Sequence, residues 1–423
     1  VSRYRDALAW LYGLESRGIK LGLERMETAA ALRGHPEKGL RYLHIGGTNG
    51  KGSVAAMCES MLRASGLRTG QFASPHLQRY VERVQIAGRP ISEAEAARRI
   101  EELRVDTRLP PLSFFEYTTL LAFEAFRDAK CDVVVLEVGL GGRLDSTNIV
   151  DPAACIITNI GLEHQRILGD THAKIAREKA GIIKQGVPVV VGTRGRSARR
   201  VITRRARKVG APLRLVGRDF EGTRNDGSVR IRVGDRTYEN VKLGLRGHYQ
   251  VDNAACAVTG VHELSRVGID VDERSIRKGL RLAKWPGRLE WCQGNPTFLF
   301  DAAHNASGCE ALGHYLDDLA FPSKVVLLFG AMRDKDHRRM LAAFDDRVGK
   351  RVYVSSAVAR SQRPERFAAL RDGSVARSVR DGLARARRAA GQDGLVVVAG
   401  SVFVVSEVRA WVKNTSTDPP IAM

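Results

Sequence analysis

Between an apolar strand, Tyr42–Ile45, and a helical stretch, Val54–Ala64, stand eight residues, Gly46-Gly47-Thr48-Asn49-Gly50-Lys51-Gly52-Ser53. A strand that feeds a helix through a glycine-rich turn fixes the start of a βαβ unit, and with it a parallel sheet. Glycines let the backbone turn tightly and aim its N–H groups inward, and the helix N-terminus adds positive partial charge. Lys51 can reach outer phosphates, and Ser53 offers a hydroxyl to a divalent metal. The spacing is shorter than the common G-x-x-x-x-G-K-S/T form, so strand, loop and helix together carry the expectation of a bound nucleoside triphosphate.

The rest of the chain keeps the same rhythm. Candidate strands follow at Thr69–Phe72, Asp132–Val138, Ala154–Thr158 and Val187–Val191, most of them continuous apolar runs that read as strands buried on both faces. Amphipathic stretches such as Ser92–Leu103 and Phe115–Ala129 lie between them. The rhythm lapses from Leu213 to Lys242, where short alternating pieces and the turn residues Arg224–Ser228 predict a small antiparallel patch. A helix over Asn253–Val267 and a corner at Trp285-Pro286-Gly287-Arg288 follow. A second α/β series then runs through Thr297–Phe300, Val325–Phe329, Arg351–Ser355 and Leu395–Ala399.

At 423 residues the chain is long enough for two cores. Gly294-Asn295-Pro296 breaks any element, so the boundary is expected there, with domains 1–292 and 297–423. The fold class expected is α/β: a P-loop-type, mostly parallel N-terminal domain with an antiparallel patch, and a smaller Rossmann-like α/β C-terminal domain. The tail Asn414–Met423 is expected to be loose.

Composition narrows the setting. No run of eighteen apolar residues occurs, which argues against a membrane span. The 6 cysteines are scattered without a C-x-x-C pair, as reduced thiols of a cytoplasmic protein would be. The net charge of +21 suits anionic partners. Part of it lies in the run Arg194–Lys208, which lacks the aromatic residues that stack on bases. That run reads as a solvated helix face, and no nucleic-acid partner is expected.

Three further groups sit just past predicted strands, where ligands gather in open α/β sheets. Glu137, beside the cluster Gly139-Leu140-Gly141-Gly142, suits Mg²⁺, with glycines that permit close approach of a ligand. Thr158–His164 ends in a histidine at a third strand end. Asp301-Ala302-Ala303-His304-Asn305 follows the first strand of the second series, with Arg288 and Asn253 in the hinge region. Lys179 stands among apolar and small neighbours. It is either a partner of Glu178 or Glu163, or a desolvated, nucleophilic amine that reacts even with carbon dioxide.

Taken together, these motifs resemble the folylpolyglutamate synthase and dihydrofolate synthase family, the folate branch of the Mur ligase superfamily. The likeness runs from Gly22-Leu23-Glu24-Arg25 to Gly400-Ser401-Val402-Phe403. Its most specific pieces are the Gly47–Ser53 loop, Ser74-Pro75-His76-Leu77, Phe114-Phe115-Glu116, Glu137–Asn148, Glu178-Lys179-Ala180-Gly181 and Asp301–Asn305. The resemblance implies that Thr48, Asn49, Gly50, Lys51, Gly52 and Ser53 hold ATP phosphates. Asn253, Arg288, Asp301 and His304 would close on the nucleotide. Ser53, Ser74, Glu137 and His164 would hold two Mg²⁺ ions, Lys179 would carry a carbamate, and the catalytic set would be Lys51, His164 and Lys179.

A monovalent cation is allowed beside them, and Gly22–Arg25 and Ser74–Arg79 would border the folate pocket. Glu163, Ala302, Ala306 and Gly46 depart from the family pattern without removing a ligand. The reaction implied is ATP-dependent addition of L-glutamate to a folate or to dihydropteroate through an acyl phosphate, in a monomeric cytoplasmic enzyme. Domain closure about Trp285–Asn295 would exclude water. The competing readings are a Mur-type ligase for a non-folate acid and a nucleic-acid-binding P-loop ATPase.

Overall fold

The structure, a computed structural model, describes residues 3–18, 21–225, 227–319 and 324–419. The chain divides into two units. The first comprises Val1–His76, Val81–Gly244 and Gln250–Lys284, and the second Leu77–Tyr80, Leu245–Tyr249 and Trp285–Met423.

In the first unit eight strands form one sheet: β1 Arg41–Gly46, β2 Thr69–Phe72, β3 Val84–Ile86, β4 Arg89–Pro90, β5 Val133–Glu137, β6 Ala154–Ile157, β7 Val189–Val191 and β8 Leu213–Leu215. Their order is β4-β3-β2-β5-β1-β6-β7-β8. All neighbours are parallel except along the β2–β3–β4 edge, which is antiparallel. β5, Val-Val-Val-Leu-Glu, is buried along its whole length because helices cover both faces, and each of its four apolar side chains contributes roughly 1.5–3 kcal/mol. The helix Phe114–Asp128 is anchored by a reciprocal capping box in which Ser113 and Glu116 satisfy each other's backbone N–H. Register sets Ile45 opposite Glu137 and Gly46 opposite Ile157, so the segments after β1, β5 and β6 leave the sheet side by side.

The antiparallel patch is present as β9 Phe220–Asn225, β10 Ser228–Val233 and β11 Arg236–Val241. Asp226 of its first turn lies outside the described residues. The basic run forms a helix, Arg196–Lys208, that buries Ala198, Ile202 and Ala206 and exposes Arg196, Arg200, Arg204, Arg207 and Lys208. An i, i+4, i+8 apolar seam with charges outside is what the solvated-face reading requires.

The second unit is a sheet of β12 Glu290–Cys292, β13 Thr297–Phe300, β14 Val325–Phe329, β15 Lys350–Tyr353, β16 Ser374–Val375 and β17 Leu395–Ala399, in the order β12-β13-β17-β14-β15-β16. Only β12 is antiparallel. Glu290 pairs with Phe300, so Gly294-Asn295-Pro296 is the turn of a hairpin inside this unit, and the chain enters the unit at Trp285, ahead of the break at 290–296. A glycine–proline break marks a hairpin as readily as a linker.

The tail differs from expectation too. The Tyr80 N–H donates to Asp418 at 2.7 Å and the Asp418 N–H to the Gln78 carbonyl at 2.9 Å, so the chain is tied down through Asp418. Residues 420–423 lie outside the described set. All six cysteines are free thiols. Among the described residues no helix is long and apolar enough to cross a membrane.

Candidate active site

The loop after β1 is held from β6. The Thr48 N–H donates to the Asn159 carbonyl at 2.9 Å, the Asn49 N–H to Asn159 Oδ1 at 2.8 Å, and Thr158 Oγ1 to the Asn49 carbonyl at 2.7 Å. Gly47 has φ +145°, and a Cβ there would lie 1.9 Å from Thr158 Oγ1. Only glycine permits both that backbone and that approach. Gly50 ends the turn at φ +86° as the N-cap of the helix Lys51–Ala64, whose first-turn N–H groups point out of the sheet edge.

Lys51 folds back to donate to the Thr48 carbonyl at 3.3 Å, with Nζ 4.0 Å from Glu137 Oε1. Glu137 is buried at the end of β5, and its other oxygen accepts the Ser74 N–H at 3.4 Å. Lys51, Glu137 and Ser74 are thus brought together. Ser53 is buried nearby in sequence and accepts from Gln250, which also binds Asn253. Sequence reasoning passed over Gln250 and Asn159. The signal for Gln250 was its place three residues before Asn253, on the same helix face.

Lys179 closes the helix His172–Lys179 and is buried at 6% exposure. Its Nζ donates to the Gly47 carbonyl at 2.7 Å, which joins it to the phosphate loop. Burial and the Lys51 cation lower its pKa to about 7, against the opposing pull of Glu163 and Asp145. The alternative pairing with Glu178 does not form: Glu178 faces the exposed side and binds Arg143 at 3.1 Å.

The glycine cluster after β5 also has a different purpose from the expected one. A Cβ on Gly139 would come within 2.3 Å of the Phe115 ring, and one on Gly142 within 2.9 Å of the Glu178 carbonyl and 3.0 Å of the Lys179 carbonyl. These glycines let the loop pack on protein, against the helix end that bears Lys179. Asp145 fixes that loop by accepting from Leu140 N at 2.7 Å and from Thr147 N at 3.1 Å and Oγ1 at 2.6 Å; burial raises its pKa. His164 is exposed, with φ +50°, at the head of the short helix Gln165–Leu168. Among the described residues no three His, Cys, Asp or Glu side chains converge as a metal cluster.

In the second unit, Asp301 ends β13 and is buried. It accepts from Leu289 N at 2.9 Å and Ala303 N at 2.8 Å. Burial raises its pKa, opposed by the Arg288 cation and the two N–H groups. His304 Nδ1 pairs with the Ala302 carbonyl at 2.9 Å, so Nδ1 carries a proton. Tyr249, buried beside Asp301 and Arg288, is held neutral by its surroundings.

A phosphate loop, a carboxylate across from its lysine and a second α/β unit with a buried aspartate at a strand end define an ATP-dependent ligase of the Mur type. Residues 45–261 match the Mur ligase middle domain, and residues 287–402 match the Mur ligase glutamate ligase domain. The chain is 33% identical over 426 residues to dihydrofolate synthase/folylpolyglutamate synthase of Bacillus subtilis, covering 97% of this chain and 99% of that one. It is 36% identical over 438 residues to a probable bifunctional folylpolyglutamate synthase/dihydropteroate synthase of Haloferax volcanii, of which it spans only 51%. The structure matches that of Escherichia coli FolC in complex with DHPP and ADP with a TM-score of 0.89 at 34% identity, over 96% of this chain and 98% of that one. A bifunctional folylpolyglutamate synthase/dihydrofolate synthase with Mn, AMPPNP and L-glutamate bound matches at 0.87, with 34% identity and the same coverage. The chain belongs to the folylpolyglutamate synthase/dihydrofolate synthase family.

Proposed function

We propose that this chain adds L-glutamate to a folate or to dihydropteroate at the expense of ATP. The observation that carries the reading is the phosphate loop with Lys51 Nζ 4.0 Å from the buried Glu137 carboxylate, in a chain alike to such ligases over nearly its whole length. A substrate carboxylate oxygen attacks the γ-phosphorus, the bond to ADP breaks, and an acyl phosphate forms. The glutamate amine then attacks the acyl carbon, loses a proton, and phosphate leaves. Phosphoryl transfer of this kind needs positioning and charge more than covalent help. Lys51 turns from the Thr48 carbonyl to the outer phosphates, while the N–H groups of the loop hold the inner ones.

The family implies a divalent ion, and the donors suit one. Glu137 presents a buried carboxylate at a strand end, Ser53 and Ser74 present hydroxyls, and His164 an imidazole. Mg²⁺ takes few protein ligands and completes its shell with phosphate and water oxygens, which fits a site without three clustered acids or histidines. When bound, the ion spreads the charge of the transferring phosphoryl. Two such ions and a monovalent cation belong to the same reading. Asn253, Arg288, Asp301 and His304 are the nucleotide contacts of this reading.

Lys179 is read as the carbamate. Its amine, about half of it neutral at pH 7, attacks carbon dioxide in the neutral form, the N–C bond forms, and one proton is released to leave an anion. The carbamate keeps one N–H for the Gly47 carbonyl. The deciding experiment offers purified protein ATP, Mg²⁺ and labelled L-glutamate with dihydropteroate and tetrahydrofolate in parallel. Labelled product and ADP in equal amounts are expected with at least one acid. Tight ATP binding with no incorporation into either would overturn the substrate assignment.

A further inference from the structure

Gln250, on the helix Tyr249–Glu263, is fully buried, and its carboxamide is used at both ends. Nε2 donates to Ser53 Oγ at 3.1 Å, and Oε1 accepts from Asn253 Nδ2 at 2.9 Å. Turning the Gln250 amide over alone would face its N–H₂ to the Asn253 N–H₂ and remove that bond, so the two carboxamides are locked to each other and turn only together. Each neighbour is constrained in turn. With one lone pair of Ser53 Oγ taken by Gln250, its proton and other lone pair are left for phosphate or ion. With Asn253 Nδ2 committed, its Oδ1 is directed over Gly50, where a Cβ would come within 2.6 Å of it. Buried amides placed so exactly in register between two ligand-facing groups act as supports whose loss is felt at the ligand.

We propose that Gln250 is a positioning residue that orients the Ser53 hydroxyl and the Asn253 carboxamide together, so that both meet the nucleotide as one unit. The inference rests on the nucleotide reading of Ser53 and Asn253 given above. Gln250→Met keeps the volume and offers neither a donor nor an acceptor of comparable strength. Calorimetric titration with AMPPNP and Mg²⁺ should show binding weakened about 10–100-fold, with the Mg²⁺ concentration for half-saturation raised by a similar factor. Ser53→Ala should weaken binding as well, and adding Gln250→Met to it should cost clearly less than Gln250→Met costs in the wild-type chain, because the arm of the support that acts through the hydroxyl is already gone while the Asn253 arm remains.

Losses that multiply would mean a general structural role and would overturn the assignment. Should Gln250→Met not fold, the cycle of Ser53→Ala with Asn253→Ala decides instead: coupled losses support the bridge through Gln250, and independent ones reject it. If the wild-type chain bound no AMPPNP at all, the nucleotide reading itself would fall, and the assignment of Gln250 with it.

Discussion

Lys179 should react as a neutral amine near physiological pH. Its pKa is lowered from 10.5 to about 7, by burial first and by the Lys51 cation second. At pH 7 about half of the Lys179 side chains are then uncharged, against roughly one in three thousand for an ordinary lysine. Only the uncharged amine attacks carbon dioxide, so the initial rate of carbamate formation at Lys179 reports this fraction directly. With dissolved ¹³C-labelled carbon dioxide held constant, that rate should climb about tenfold between pH 6 and pH 8 and then level off, as the neutral fraction passes from about one in eleven to about ten in eleven. Chemical trapping followed by peptide mass mapping assigns the label, and Lys179→Arg provides the blank. Lys51→Met removes the second cause of the shift, and the midpoint should move upward. A rate that kept rising tenfold per pH unit beyond pH 9 would refute the reasoning, since it would mean that Lys179 retains the pKa of an exposed lysine.

The same shift has a consequence for stability. Between pH 7 and pH 10.5 the unfolded chain binds a proton at Lys179 that the folded chain does not, so this group makes stability rise with pH across that window by about 5 kcal/mol in all; urea melts of Lys179→Met should lack that component, and parallel curves for variant and wild type would count against it. Lys51→Ala should abolish ATP-dependent product while circular dichroism stays native, because Lys51 is a surface-edge lysine of the loop and anchors no core; retained turnover would remove it from the site. Gly47→Ala should cost about 2–4 kcal/mol and eliminate nucleotide binding, since φ +145° and a Cβ 1.9 Å from Thr158 Oγ1 are both intolerable, and Thr158→Ala should restore only part of the stability. Gly139→Ala should destabilise by about 1–3 kcal/mol through the Phe115 ring and be rescued by Phe115→Leu; no rescue would mean that the glycine serves something other than packing.

What could be read from the sequence follows from how local each cause is. β13, β14 and β17 stand where largely continuous apolar runs put them, because strands covered on both faces are mostly apolar. The edge hairpin of β3 and β4 was invisible, being three and two residues long with an exposed outer strand. Gly294-Asn295-Pro296 signalled a break correctly, but whether a break is a linker or a hairpin depends on what pairs across it, and Glu290 with Phe300 is a tertiary fact. The glycines at 139–142 illustrate the same limit. Their freedom is legible in sequence, whereas the choice between a ligand and the Lys179 helix end as the thing approached is not.

Lys179 itself divides along this line. Its small and apolar neighbours, Ala176 and Ala180, predict burial, and burial predicts a lowered pKa. Its partner, the Gly47 carbonyl, lies 132 residues away and is supplied only by the parallel register that sets the ends of β1, β5 and β6 beside each other. That register is the link between the two halves of the site. It gives the phosphate loop its lysine, Lys51, a carboxylate on the neighbouring strand, and a second lysine that is kept from being charged in part by the first. Two amines so close cannot both hold a full positive charge at little cost. In the proposed reaction, Lys51, nearer the solvent, would meet phosphate as a cation, and Lys179, behind the loop, would be the one converted to an anion.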